Sequence, residues 1–165
     1  MKNSIENIIS LSKQIYRLEN NEELHIYGAS PEEIKSAELD LDIEFSTELK
    51  EFLLHINGLS SFCTGLDYSS FSKLNEFRYT YEANPALIEI YQQDNEDGLY
   101  EWLNSSLIIG GIYEETLLFL SEFEGTVSYY RYNASIPGFI EYNSFREYLE
   151  YYKAYLQSYL EDIIV

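Results

Sequence analysis

The chain is poor in the residues that most chemistry relies on. It has one cysteine, one tryptophan, three prolines and two histidines in 165 residues. A lone Cys63 excludes an intramolecular disulfide and a multi-cysteine metal site, and a reducing, cytoplasmic compartment is the simplest expectation. His25 and His55 show no paired ligand spacing, so no zinc site and no other cofactor is expected. No apolar run approaches the ~18 residues of a membrane span. The opening Met1-Lys2-Asn3-Ser4-Ile5-Glu6 has no apolar core, so no signal peptide is expected.

Basic residues are scarcest relative to their counterparts: 10 Lys+Arg stand against 29 Asp+Glu, a formal net charge of −19. Such a field repels nucleic-acid phosphates and anionic membranes and attracts a basic protein. An acidic surface that only confers solubility fits the same numbers. Tyrosine, by contrast, is abundant: 17 Tyr and 9 Phe. Tyrosine suits interfaces, strands and core edges alike, so its excess does not separate those uses. With 45% hydrophobic residues, the chain has enough apolar material for one folded domain.

The stretch Ser46–Gly58 is the landmark. Leu49, Phe52, Leu53 and Ile56 fall at i, i+3, i+4 and i+7, which predicts a helix with one apolar face. Ser46 supplies a cap and Asn57-Gly58 a stop. Upstream, residues 4–19 predict a helix and Leu24-His25-Ile26-Tyr27 a short strand closed by Gly28. Ser30-Pro31-Glu32-Glu33 opens a second helix that runs to about Glu38 or Leu39. Downstream, Leu59–Asp67 is rich in strand formers. Phe71, Leu74, Phe77 or Arg78, and Tyr81 predict an amphipathic helix over 70–82 that Asn84-Pro85 breaks. Leu87–Tyr91 reads as a strand or one turn of helix, 92–98 as a polar loop, and Leu99–Leu103 as a short aromatic strand or turn.

The clearest β-signal is a hairpin of 116–121 and 126–132 joined by Glu122-Phe123-Glu124-Gly125, with 107–112 pairing beside it. Ile136-Pro137-Gly138 turns the chain into a further strand, Phe139–Tyr142. Ser144-x-x-Glu147 opens a last helix with a broad stripe of Phe145, Tyr148, Leu149, Tyr152, Tyr155, Leu156 and Tyr159. Helices flanking a mostly antiparallel sheet give an α+β fold in a single domain.

The landmark also carries a family likeness. An acidic helix with Ile34 and Glu38, a linker Leu41-Asp42-Ile43-Glu44-Phe45 and a helix ending in Asn57-Gly58 resemble the signature of the SUKH superfamily, the Smi–Knr group. Ser46 stands where that pattern has proline, and both residues suit a helix start. Ile108-Ile109-Gly110-Gly111, then Gly125–Tyr130, resemble the family's later strands, and Phe145–Leu149 its closing helix. The likeness covers the core, about 30–160, and leaves 1–29 as an N-terminal extension carrying a helix. It implies a SUKH-like α+β domain and a non-enzymatic binding protein. Many bacterial members neutralise a cognate toxin, often a nuclease; eukaryotic relatives act as regulators or scaffolds in cell-wall and signalling control.

No set of residues makes a catalytic constellation. Cys63 with His25 or His55 as base would make a nucleophile, but nothing local marks it as activated, and a free cysteine is more often a small buried hydrophobe. Asp94–Gly98 lacks the third and distal ligands of a calcium loop. Gly110-Gly111 is not followed by the Lys-Ser or Lys-Thr of a phosphate loop, and suits a bent or closely approached strand. Glu114-Glu115 and Glu122/Glu124 are carboxylate pairs of the kind 29 acids produce by chance.

Charge distribution carries the functional expectation. No Lys or Arg occurs between Arg78 and Arg131, while Glu82, Glu89, Asp94, Glu96, Asp97, Glu101, Glu114, Glu115, Glu122 and Glu124 do. Glu96, Asp97, Glu114 and Glu115 are the expected steering charges of a partner surface, with Tyr91, Trp102 and Tyr113 as its anchors. A solvated acidic face over core aromatics is the plainer alternative. The expected partner is a toxin with a basic surface, not a nucleic acid or a membrane.

Overall fold

The computed structural model describes residues 1–59, 71–82, 105–111, 116–123, 126–133 and 139–164. Within them, helices α1 (Lys2–Asn20), α2 (Pro31–Asp40), α3 (Thr47–Leu53) and α4 (Phe145–Ile164) accompany strands β1 (Arg78–Tyr79), β2 (Leu107–Gly111), β3 (Thr116–Phe123), β4 (Thr126–Asn133) and β5 (Phe139–Tyr142). The strands form one antiparallel sheet in the order β1-β2-β3-β4-β5. The fold is α+β, as expected.

Local chemistry explains the helix boundaries. Ser30 Oγ accepts from Glu33 N–H at 3.2 Å, and the Glu33 carboxylate accepts from Ser30 N–H at 2.7 Å, a complete capping box. That backbone hydrogen bond holds the Glu33 carboxyl below its ordinary value. At α4, Ser144 Oγ accepts from Glu147 N–H, while the Glu147 carboxylate reaches one residue further back, to Asn143 N–H at 2.9 Å. Helix α1 ends where Asn21 turns left-handed, at φ 55°.

The core lies between α4, α1, α3 and the sheet. Ile5, Ile8 and Ile15 of α1 are buried, as are Leu49, Phe52 and Leu53 of α3 and Phe145, Tyr148, Leu149, Tyr152 and Leu156 of α4. Phe71 sits at the centre of an aromatic cluster. Its ring centroid lies 4.4 Å from that of Phe52, 5.7 Å from Tyr148 and 5.4 Å from Tyr152. Tilted and edge-on ring pairs of this kind add to the burial they bring.

Four expectations fail in the described residues. Positions 24–27 form no strand; the segment runs extended along the end of α3 instead. Asn57 N–H donates to Tyr27 O at 2.7 Å and Ala29 N–H to Leu53 O at 2.8 Å. Gly28 is needed there, because a Cβ would stand 1.8 Å from the Leu54 carbonyl oxygen. The described part of the helix expected over 70–82, residues 71–82, is not α-helical; it holds two short 3₁₀ turns, Leu74–Glu76 and Thr80–Glu82. Phe71, Leu74 and Phe77 are buried as a helical face would be, yet they lie on a bridge residue, the first of these turns and the residue leading into β1. The sheet has claimed the backbone: Phe71 bridges to Leu59 and Gly110, Ser72 N–H donates to Ile109 O, and Thr80 N–H donates to Ser106 O. The hairpin is also tighter than expected. Glu122 pairs with Val127 and Phe123 with Thr126, so only positions 124 and 125 connect the strands.

Strand β2 shifts register between Ile108 and Gly110, the irregularity the glycine pair suggested. The expected stop at Asn57-Gly58 comes too late: α3 ends at Leu53 with Leu54 as its right-handed C-cap, and Ile56 is buried from beyond the helix, while Gly58, at φ +89°, turns the chain further on. The readings of 60–67, 87–91, 92–98 and 99–103 lie outside the described residues.

Candidate partner-binding surface

All seven expected surface residues, Tyr91, Glu96, Asp97, Trp102, Tyr113, Glu114 and Glu115, lie outside the described residues, as does Cys63. The described part of the Lys- and Arg-free segment is mostly sheet. Leu107, Ile108, Ile109, Leu120 and Tyr129 are buried. At its start, Tyr79 donates its hydroxyl to Leu41 O at 2.6 Å, and the exposed Glu82 accepts from Tyr79 N–H at 3.2 Å. The segment's strands β2 and β3 take inner positions of the sheet.

The junction of α2 and α3 can be built in full. Glu38, late on α2, accepts from Phe45 N–H at 2.7 Å and pairs with Lys50 Nζ at 2.9 Å. Lys50 reaches Glu44 as well, at 3.4 Å. The hydrogen bond to Glu38 is the main cause that raises the Lys50 ammonium above its ordinary value, against a smaller opposing effect of burial. Ser46 Oγ accepts from Leu49 N–H at 3.1 Å and lies 2.8 Å from the Tyr129 hydroxyl, so the cap of α3 is tied to β4. Burial pushes Tyr129 up to about 12. Glu48 pairs with Arg146 Nε at 3.2 Å and accepts from Arg146 N–H, joining α3 to the start of α4.

These polar groups satisfy one another and hold elements in place. Among the described residues no cluster of His, Cys, Asp and Glu could hold a metal ion. No described helix is long and apolar enough to cross a membrane.

Sequence reasoning missed one exposed apolar feature. Gly28 approaches the Leu54 carbonyl and Tyr27 O accepts from Asn57 N–H at the end of α3, and Tyr27 is left 72% and Leu54 44% exposed. His25 stacks on Tyr27, with ring centroids 6.4 Å apart. The alternating Leu24–Tyr27 pattern suggested a strand with one face inward. The hydrogen bonds to the α3 end instead leave its aromatic outward.

Compared with known proteins, residues 28–151 match the model of the SMI1 / KNR4 family (SUKH-1). No curated protein matches the chain.

Proposed function

The chain belongs to the SMI1 / KNR4 family (SUKH-1), and from that premise we propose that it is a cytoplasmic immunity protein that neutralises a cognate toxin by binding it. Proteins of this family are generally non-catalytic, protein-binding immunity or regulatory proteins. The observation that supports the immunity reading is the charge balance: a formal −19 on a member of a binding family. A nuclease must present a basic surface to hold phosphates, and an acidic, tyrosine-rich protein competes for that surface. The domain is single, with the family-like core preceded by a helical extension. The contact surface is drawn from segment 79–130, with Glu96, Asp97, Glu114 and Glu115 steering the encounter and Tyr91, Trp102 and Tyr113 anchoring it.

The test is to look for a toxin domain encoded beside this gene and to measure binding kinetics with it. Reversing Glu96, Asp97, Glu114 and Glu115 together slows association about tenfold or more at low salt, and rising salt shrinks the difference. Folded variants that associate at the wild-type rate in low salt overturn this surface. A neighbouring signalling gene with no toxin domain turns the reading towards a regulatory scaffold of the same family.

A further inference from the structure

Beside α1 the local charge balance turns positive. Between α1 and the extended segment 22–28 lies an open groove of about 310 Å³, lined by Lys13, Gln14, Arg17, Glu23, Leu24 and His25. Lys13 and Arg17 are four residues apart on α1, so they share a face. Both are exposed, and among the described residues neither forms an ion pair. Gln14 spends one amide N–H on Ser10 Oγ, at 3.1 Å. Glu23 is the opposing charge in the lining; Glu22 lies nearby and accepts the Tyr16 hydroxyl at 3.3 Å. Two cations against one carboxylate leave the lining net positive in a chain of −19. The half-buried Leu24 gives an apolar wall, which the His25–Tyr27 stack continues outward. Every lining residue precedes position 28, where the family match begins, so the groove belongs to the part of the chain outside the matched core.

We propose that this groove binds a carboxylate carried on a small apolar body. The Arg17 fork matches the two carboxylate oxygens, Lys13 adds a point charge, and Leu24 with His25 covers the body. A monoanion fits better than a phosphate dianion. The single net positive charge of the lining neutralises one negative charge, and each further charge meets Glu22, Glu23 and the acidic remainder of the chain. The volume is at the lower end of the roughly 300–1,000 Å³ of small-ligand sites, which is room for one residue or a small organic acid. This assignment stands independently of the immunity reading.

The test follows backbone amide shifts of the ¹⁵N-labelled full chain at constant ionic strength. N-acetyl-leucine shifts the amides of Lys13, Arg17, Leu24 and His25 saturably, and N-acetyl-leucinamide, which has the same body without the charge, does not. Lys13→Glu and Arg17→Glu each weaken binding about tenfold or more, the scale of a lost charge-assisted hydrogen bond. Lys35→Glu, on α2, makes the same change in net charge and leaves binding unaltered. Equal response to acid and amide, or equal loss in Lys35→Glu, overturns the site. Tighter binding of inorganic phosphate than of N-acetyl-leucine overturns the carboxylate assignment. The tetrapeptide Ala-Ala-Ala-Leu separates two sources of the same chemistry. Binding about tenfold tighter than N-acetyl-leucine identifies a peptide C-terminus; equal binding identifies a free organic acid.

Discussion

Helix α3 is held on its inner side by rings and on its outer side by charges. Inside, Phe52 lies 4.4 Å from Phe71 and 5.2 Å from Phe145, centroid to centroid, and all three are buried. Outside, Lys50 spans Glu38 and Glu44 with its own side chain still 32% exposed. Both regions connect the same helix to its neighbours, but the energetics differ. A ring in a close-packed interior loses its contacts and leaves a void when removed. A partly exposed ion pair keeps much of its solvation when broken and is screened by salt. Ser46 and Tyr129 sit at the border, a hydrogen bond whose tyrosine is almost wholly buried.

That contrast orders the expected effects. Phe52→Ala is the largest: truncating a buried phenylalanine costs about 3–5 kcal/mol, and urea unfolding measures it. A cost near that of a surface substitution would mean that the aromatic cluster does not hold α3.

Next comes the border. Burial is the main cause that raises the folded pKa of Tyr129, to about 12, so ionisation opposes folding. Its contribution is fully present below pH 10 and is lost as pH rises from about 10 through about 12, an effect of roughly 2–3 kcal/mol. Burial raises Tyr130 and Tyr142 in the same direction. Unfolding curves collected across that window fall steeply for the wild type and less steeply for Tyr129→Phe. Parallel curves would show that another group carries the alkaline transition. The smallest effect belongs to the outer side: Lys50→Gln costs under about 1 kcal/mol, and the cost shrinks further in high salt. If it rivals Phe52→Ala, the ionic junction is structural in its own right and the contrast between the two sides breaks.

The helices and their caps were legible because their causes are local. Ser30 and Glu33 are three residues apart, and Ser46 lies next to the helix it starts, so propensity and position decide the outcome together. The stripe on α4 was legible for a related reason: a long amphipathic helix repeats its pattern until no other period fits. The strand expected at 24–27 and the helix expected at 70–82 failed where a distant backbone offered better partners. Phe71, Leu74 and Phe77 were recognised as core residues, and they are core residues. Their spacing suggested a helix because burial alone does not state which backbone carries the side chains.

The candidate sites divide in the same way. A deficit of basic residues between Arg78 and Arg131 is visible in the order of residues alone. The groove of Lys13, Arg17 and His25 is not, although the spacing of the first two was there to read. It exists because Asn21 reverses the chain and the segment after it is pinned along the end of α3 by Tyr27 O and Ala29 N–H.

By itself the sequence determined the net charge, the helix starts, the apolar faces of α1, α3 and α4, and the antiparallel hairpin, because each depends on residues within a turn or a hairpin of one another. Only the tertiary structure decided that 24–27 leaves its aromatic outward and that Phe71 enters the core from a bridge between Leu59 and Gly110. It also decided that the proline position of the family pattern holds a serine bonded to Tyr129, 83 residues away. Those outcomes turn on which backbone N–H and C=O groups find partners far along the chain, and no local pattern encodes that choice.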